Sequence, residues 1–224
     1  MCKAIEVASW FINNDYIPSN TKSGNLKLNK LLYFAQLISL VKRQKPLFKD
    51  ELYAFENGVV VEDVRKEYYE NYSSFIDKAR NDNTVFESDE LDILEFTKEI
   101  FMDISSKELS DLTHEHKSWK DNYEKSKTKK SGRIWYNKDD AKIDINDYFT
   151  KYKCDLDLIE NIINAKQYSQ DDNIEDVIEV NGVKFYYNPN EINANDYIET
   201  LRLFSPEDTA YTLYLDEKQG LVIF

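Results

Sequence analysis

An almost uninterrupted apolar run at residues 26–41, LKLNKLLYFAQLISLV, constrains the fold of this 224-residue chain more than any other segment. A helix at a protein surface is usually apolar along one stripe, whereas a helix that is apolar nearly all round is enclosed by other elements. The run is also shorter than the ~20 residues that a membrane-spanning helix needs. We therefore expect it to form the central helix of a folded domain.

Helical patterns surround this segment and predict a mainly helical body. Apolar residues recur at helical spacing within residues 4–13 and within Asp63–Ala79, and another helix is expected to begin at Ser88. Ser105 and Glu108 have the spacing of a capping box, which marks the start of a helix. We expect these elements to belong to the same body as the apolar run.

Other segments of the body have different patterns. The alternating segment ELYAFENG (51–58) predicts a short strand that ends in a turn at Asn57-Gly58. KSKTKKSGR (125–133) is polar and contains glycine, which predicts a loop. KIDINDYFTKY (142–152) and DLIENIINAKQ (157–167) predict two further helices.

The spacing of apolar residues changes after about residue 171. The segment DVIEVNGVKFYYN consists of two alternating runs around Asn181-Gly182, which is a strong hairpin signal. A helix-like stretch (193–204) and a second hairpin-like stretch (209–224) follow. This order predicts a small β-β-α-β-β unit at the C-terminal end.

The expected fold class is α+β, with a mainly helical body at residues 1–154 and an appendage at residues 155–224. The appendage would comprise an acidic helix followed by the β-β-α-β-β unit. It contains 4 basic and 15 acidic residues, a net charge of −11, whereas the body has 25 basic and 27 acidic residues, a net charge of −2. The chain therefore pairs a nearly neutral body with a strongly acidic appendage.

One segment of the body is basic. Lys117–Lys138 contains eight basic residues and only two acidic ones, with Trp119 and Trp135 among its aromatic residues. A run of charge is commonly a solvated face. The overall net charge of −13 argues against nucleic acid wrapped around the protein, although a local basic face could still contact it.

The cysteines and the N-terminus indicate a cytoplasmic protein. Cys2 and Cys154 have the spacing of neither a metal site nor a disulfide framework, which predicts a reducing compartment. The apolar N-terminal stretch contains Glu6 and lacks a cleavage signal, so no secretion signal is expected. No glycine-rich phosphate-binding motif is present in the sequence, and no cofactor is expected.

Both histidines of the chain lie within LTHEHKSW (112–119). His114 and His116 would point apart on a helix, and neither a third histidine nor a nearby cysteine is present to complete a zinc site. The pattern favours a buried, hydrogen-bonded His114 beside Trp119, at a corner between two helices, over a metal pair or a catalytic histidine.

A family resemblance covers about residues 5–153. The helix motif Lys-Leu-x-Lys-Leu-Leu-Tyr-Phe-Ala-Gln, followed by Pro-Leu-Phe, by Gly-x-Val-Val and by Leu-Ser-x-Leu-Thr-His, closely resembles the Panacea domain family, the SocA/GepA-like antitoxins of bacteria and their phages. Two residues depart from the family pattern: Val59 and Ser118 each replace a proline. The signature residues are Lys30, Tyr33, Phe34, Gln36, Pro46, Phe48, Gly58, Thr113, His114 and Trp119.

The resemblance implies a non-enzymatic antitoxin that binds and neutralises a toxin, which the adjacent gene would encode. Some members of the family are instead proteolytic adaptors or prophage proteins, and a homodimer is possible. An acidic appendage could cover a basic surface of such a toxin, with Asp208, Asp216 and Glu217 as candidate contacts. It could equally serve only to stabilise or dimerise the protein.

A DNA-associated regulator is the alternative from another class. Lys117–Lys138 could then contact phosphates and bases through its interleaved basic and aromatic residues. The strong overall acidity and the lack of a clear recognition helix make nucleic acid the less favoured partner. An enzyme that acts on nucleotides through His114 is less favoured still.

Overall fold

A computed structural model of the chain describes residues 2–130, 132–171, 175–216 and 218–224. The chain divides into two compact units, Met1–Asn161 and Ile162–Phe224. The architecture is mixed α+β, as predicted, with a mainly helical first unit and strands in the second. Among the described residues, no helix combines the length and the apolar character that a membrane crossing requires.

The long helix α2 lies at the centre of the first unit. Leu31 and Leu32 are fully buried, which confirms the expectation from the apolar run. The helix begins after Thr21, whose side chain accepts a hydrogen bond from the Gly24 N–H, and ends at Gln44 in a left-handed conformation. The helices of this unit are α1 (Ala4–Asn13), α2 (Lys22–Arg43), α3 (Glu62–Glu70), α4 (Tyr72–Arg80), α5 (Ser88–Phe101), α6 (Ser106–Glu115), α7 (Lys117–Ser126) and the start of α8 (Lys153–Asp171).

Two small sheets complete the first unit. Its strands are β1 (Leu52–Phe55), β2 (Gly58–Val61), β3 (Lys127–Lys130), β4 (Arg133–Tyr136) and β5 (Lys142–Ile143). The first sheet is antiparallel, in the order β2-β1-β5, and β2 packs against α2. β3 and β4 form a separate antiparallel hairpin.

The prediction of one helix at Asp63–Ala79 was wrong, because the chain breaks at Asn71 into α3 and α4. Asn71 leaves the helical conformation, with φ −129° and ψ 34°. Its backbone N–H donates to the Glu67 carbonyl at the end of α3, and its own carbonyl accepts a hydrogen bond from the Phe75 N–H in α4. The break lets α3 pack against α2 while α4 packs against α1.

The predictions of a loop at residues 125–133 and a helix at residues 142–152 were also wrong. The first segment enters the β3–β4 hairpin, since Gly132 adopts φ +77° and permits a tight turn. The second segment begins with β5, which pairs with β1. A short 3-10 helix (Ile145–Phe149) follows, capped by the Asp144 side chain.

The second unit contains a four-stranded sheet in the order β6-β7-β8-β9, with both outer pairs antiparallel and the central pair parallel. Its elements are β6 (Asp176–Val180), β7 (Val183–Tyr187), α9 (Ile198–Leu203), β8 (Ala210–Asp216) and β9 (Gly220–Ile223). Asn181 and Gly182 both have positive φ, as the turn between β6 and β7 requires. The predicted β-β-α-β-β order is confirmed.

Candidate partner-binding surfaces

The side chain of Gln36 holds the segment that leads from α2 to β1. Its carbonyl oxygen accepts hydrogen bonds from the backbone N–H groups of Leu47 (2.8 Å) and Phe48 (3.1 Å). Its amide nitrogen donates to the Phe48 carbonyl at 3.0 Å. All three residues are buried, so one glutamine satisfies backbone groups that would otherwise need a neighbouring strand.

We expect Gln36→Leu to lower the free energy of unfolding by about 2–4 kcal/mol, because three buried backbone groups lose their partner. Chemical denaturation measures the change. The control is Leu37→Met, a volume-conserving swap at the next buried position of the same helix, which should cost less than ~1.5 kcal/mol. Equal losses in the two variants would show that the hydrogen bonds contribute nothing beyond packing.

Lys30, Gly58 and Thr113 meet where α2, the β1–β2 turn and α6 come together. Lys30 is fully buried, and its ammonium nitrogen donates to the Val59 carbonyl at 2.8 Å. Burial lowers the pKa of Lys30 from 10.5 to about 7. Gly58 has φ +92°, and a methyl group there would lie 2.0 Å from the Thr113 hydroxyl oxygen. These three signature residues therefore build the core.

Tyr33 lies in a buried hydrogen-bond network. Its hydroxyl oxygen is 2.7 Å from Nδ1 of His116 and 3.1 Å from the hydroxyl oxygen of Tyr148. Tyr148 in turn donates to Oγ of Ser118 at 3.0 Å. Burial lowers the pKa of His116 and raises the pKa of Tyr33, so both rings are held in their neutral forms.

A carboxylate from α8 caps α7. The two side-chain oxygens of Asp155 accept the backbone N–H groups of Lys117 (2.7 Å) and Ser118 (2.9 Å). Asp155 is buried, and it lies where the positive end of the helix dipole favours an anion. A proline in place of Ser118 would lack the second N–H, so this departure from the family pattern adds a contact between α7 and Asp155.

The expectation of a buried, hydrogen-bonded His114 is confirmed in part, because His114 is only partly buried but forms a hydrogen bond with the Glu56 backbone. His116 is the buried residue, because it sits at the junction between α6 and α7 and turns inward to Tyr33. His114 stays on the last turn of α6, partly exposed, and its ring packs against Trp119 as predicted, with the centroids 4.1 Å apart. Its Nε2 has no hydrogen-bond partner within the described part of the chain. Burial and the nearby Lys30 lower the pKa of His114.

Three further signature residues, Phe34, Phe48 and Trp119, are also used internally, whereas Pro46 is partly exposed. Phe34 and Phe48 are buried, and the Phe34 ring stacks on Phe101 with the centroids 4.2 Å apart. The indole nitrogen of Trp119 donates to the Phe55 carbonyl at 2.8 Å. Across the residues that the structure describes, no three His, Cys, Asp or Glu side chains form a group that could hold a metal ion.

An aromatic ladder runs from the α6–α7 corner to the β3–β4 hairpin. It consists of His114, Trp119, Tyr123 and Tyr136, with successive ring centroids 4.1, 5.0 and 5.6 Å apart. The ammonium nitrogen of Lys127 lies 4.2 Å from the centroid of the Tyr123 ring. The ladder therefore anchors the hairpin to the helical body by stacking and by a cation–π contact.

The basic hairpin, defined as Lys127–Tyr136, exposes its second strand. Ile134, Trp135 and Tyr136 are 57%, 59% and 56% exposed, and all four residues of β4 are classed as exposed. Aromatic residues and arginine are enriched at protein interfaces, and β4 combines Arg133 with Trp135 and Tyr136. This strand is the first candidate surface.

A cleft of about 430 Å³ in the first unit is the second candidate surface. Residues from the N-terminal part of α2, the β1–β2 turn and α3 line it, and Tyr69 at its rim is 77% exposed. Its lining mixes apolar side chains with amides, as in Leu26, Asn29, Phe55 and Val60.

The acidic candidates of the second unit have different positions. Asp208 is exposed. Asp216 is partly buried, and its carboxylate accepts the backbone N–H groups of Lys218 and Gln219, so it closes the β8–β9 turn. Glu217 lies outside the described residues. Asp208 is thus the one of the three whose described side chain is open to a partner.

The helical core built by the signature residues contains a segment that is similar to a known domain family. Residues 28–120 match the family model described as antitoxin SocA-like, Panacea domain. The match confirms the resemblance and runs from α2 into α7. No curated protein and no solved structure matches the chain. The basic hairpin and the second unit lie outside the matched segment.

Proposed function

We propose that this protein is an antitoxin-like protein that neutralises a toxin by direct protein–protein binding. The observation that carries the proposal is the match of residues 28–120 to the SocA-like antitoxin domain. The toxin would be encoded by the adjacent gene. The free thiols of Cys2 and Cys154 suit a reducing compartment, and the proposal places the complex in the cytoplasm.

The burial of the polar side chains in the core supports a role without catalysis. Tyr33, His116 and Asp155 have side chains that could perform acid–base chemistry, but all three are buried and hydrogen-bonded to neighbouring groups. A general acid or base must come within hydrogen-bond reach of the substrate. Their burial therefore favours a scaffold that presents surfaces over an enzyme that presents a reactive group.

The charge of the second unit supports a partner with a basic surface. Ile162–Phe224 contains 4 basic and 12 acidic residues, a net charge of −8. Like charges on one small unit repel one another and oppose compaction, so a purely structural appendage would be at least as stable with a neutral surface. Toxins that act on RNA or nucleotides need basic surfaces to attract phosphate, and an acidic unit would steer toward them.

Co-expression of the full chain with the product of the adjacent gene tests the proposal. We expect restored growth, co-purification of the two proteins, and an association rate that falls as salt rises. Asp208→Lys, which reverses an exposed charge, should slow association, whereas Lys107→Glu, on an exposed position of α6, should not. A toxic partner that the folded protein neither binds nor neutralises would refute the proposal.

A further inference from the structure

Resting on the proposed function, we infer that β4 of the basic hairpin is a docking edge that adds an extended, acidic segment of the partner protein as a further strand. Main-chain hydrogen bonds along an open strand edge can bind such a segment, while alternate side chains provide specificity. The proposal places the binding on one strand, Arg133–Tyr136, and specifies that the bound segment is acidic.

The two strands of the hairpin protect their edges differently. In the part of the chain that the structure describes, β3 and β4 pair only with each other, so each leaves one edge open. Proteins commonly protect an open edge with lysines. β3 contains Lys127 and Lys129, whereas β4 continues from Arg133 into Ile134-Trp135-Tyr136. β4 is thus an open edge without that protection.

The exposed residues of β4 are of the types that contribute most to the binding energy of protein interfaces. Trp, Tyr and Arg are enriched among the interface residues whose truncation costs most. Trp135 is 59% exposed, and within the described residues its ring stacks on no other aromatic ring. Ile134, Trp135 and Tyr136 are also consecutive exposed apolar residues, which marks a surface that a partner can cover.

Charge selects an acidic occupant. Lys127 and Lys138 are ion-paired with Glu124 and Glu62. Lys129 and Arg133, in contrast, have no carboxylate partner among the described residues. An acidic segment would supply carboxylate partners for Lys129 and Arg133.

The aromatic ladder prepares the edge for binding. Tyr136 stacks on Tyr123, which stacks on Trp119, and Trp119 donates to Phe55 in β1. The edge strand is therefore fixed to the core of the first unit before a partner arrives. A rigid edge loses less conformational entropy on binding than a loop of the same composition.

The geometry disfavours two other binding partners of β4, single-stranded nucleic acid and a second copy of the same strand. Single-stranded nucleic acid binds on consecutive bases stacked along one aromatic platform. Trp135 and Tyr136 are neighbours in a strand, so they point to opposite faces of it. A second copy of β4 would bring no carboxylate to Lys129 and Arg133, because β4 contains no acidic residue.

Fluorescence anisotropy with the full chain tests the inference. The probes are a labelled peptide of alternating glutamate and valine, its counterpart of alternating lysine and valine, and a single-stranded RNA. We expect the acidic peptide to bind, and Trp135→Ala and Arg133→Glu each to weaken it at least about tenfold. Val85→Ala and Lys107→Glu alter an exposed apolar residue and an exposed lysine elsewhere, and should leave binding unchanged. Tyr69→Ala tests the cleft as the alternative binding site.

Four results would overturn the inference. The first is no binding of the acidic peptide, and the second is preferential binding of RNA that depends on Trp135. The third is self-association, detected by light scattering, that Trp135→Ala abolishes. The fourth is a loss of peptide affinity in Tyr69→Ala equal to that in Trp135→Ala, which would place the site in the cleft. Circular dichroism of each variant checks that it folds.

The co-expression assay separates this inference from the proposed function. A Trp135→Ala chain that rescues growth as well as the unaltered chain would refute the docking edge and leave the antitoxin role standing. An unaltered chain that fails to rescue growth but binds the acidic peptide through β4 would refute the antitoxin role and support the docking edge.

Discussion

Gly58→Ala is expected to destabilise the protein by about 2–5 kcal/mol, a large loss for the addition of one methyl group. Gly58 has φ +92°, a conformation that costs a residue with a side chain roughly 1–2 kcal/mol. The new methyl carbon would also lie 2.0 Å from the Thr113 hydroxyl oxygen and 2.8 Å from the Lys30 ammonium nitrogen. Overpacking of this kind costs about 1–3 kcal/mol more, because both neighbours are buried.

Gly132→Ala is the matched control for this prediction. Gly132 also has a left-handed φ, +77°, but a methyl group there would meet no atom of the described residues within 4 Å. Chemical denaturation of both variants should therefore show the backbone cost alone in Gly132→Ala, about 1–2 kcal/mol. Equal losses in the two variants would mean that the contact between Gly58, Thr113 and Lys30 relaxes without cost.

The central helix and the second unit could be predicted from the sequence because their signals are local. The all-round apolar character of residues 26–41 predicts enclosure whatever the neighbours are, and Leu31 and Leu32 are fully buried. The Asn181-Gly182 pair supplies the positive φ values that a tight hairpin turn needs. Neither prediction requires knowledge of a distant residue.

The basic hairpin and β5 could not be predicted because distant partners decide their structure. Lysines on β3 obscure its strand pattern, and Tyr136 is held by stacking on Tyr123 of α7. Residues 142–143 form a strand because β1, about 90 positions earlier in the chain, offers an open edge. Local spacing instead favoured a loop and a helix.

The candidate site was predicted unevenly for the same reason. The family resemblance brought Lys30, Gly58 and Thr113 together as signature residues, and the structure shows them in contact. It did not identify His116 or Asp155, whose partners lie far away in sequence. One signal was present: Ser118 replaces a proline, which frees a backbone N–H that needs an acceptor at the start of α7.

The second large effect is expected from the buried Lys30, as a pH dependence of stability. Its pKa in the fold is about 7, against 10.5 for an exposed lysine, because burial disfavours the charged form. Between these two pH values the unfolded chain binds a proton that the folded chain has released. The free energy of unfolding should therefore rise with pH across this window, and the penalty is largest below pH 7.

Comparison with Lys30→Met isolates this contribution from other titrating groups. We expect the unaltered protein to gain up to about 1.4 kcal/mol per pH unit relative to the variant between pH 8 and 9, in urea denaturation series. Lys27→Met, at a partly exposed lysine on the same helix, should leave the pH dependence of the unaltered protein in place. A difference between the unaltered protein and Lys30→Met that stays constant across this range would show that Lys30 keeps its proton in the fold. The Val59 carbonyl and its surroundings would then stabilise a buried ammonium ion without a carboxylate.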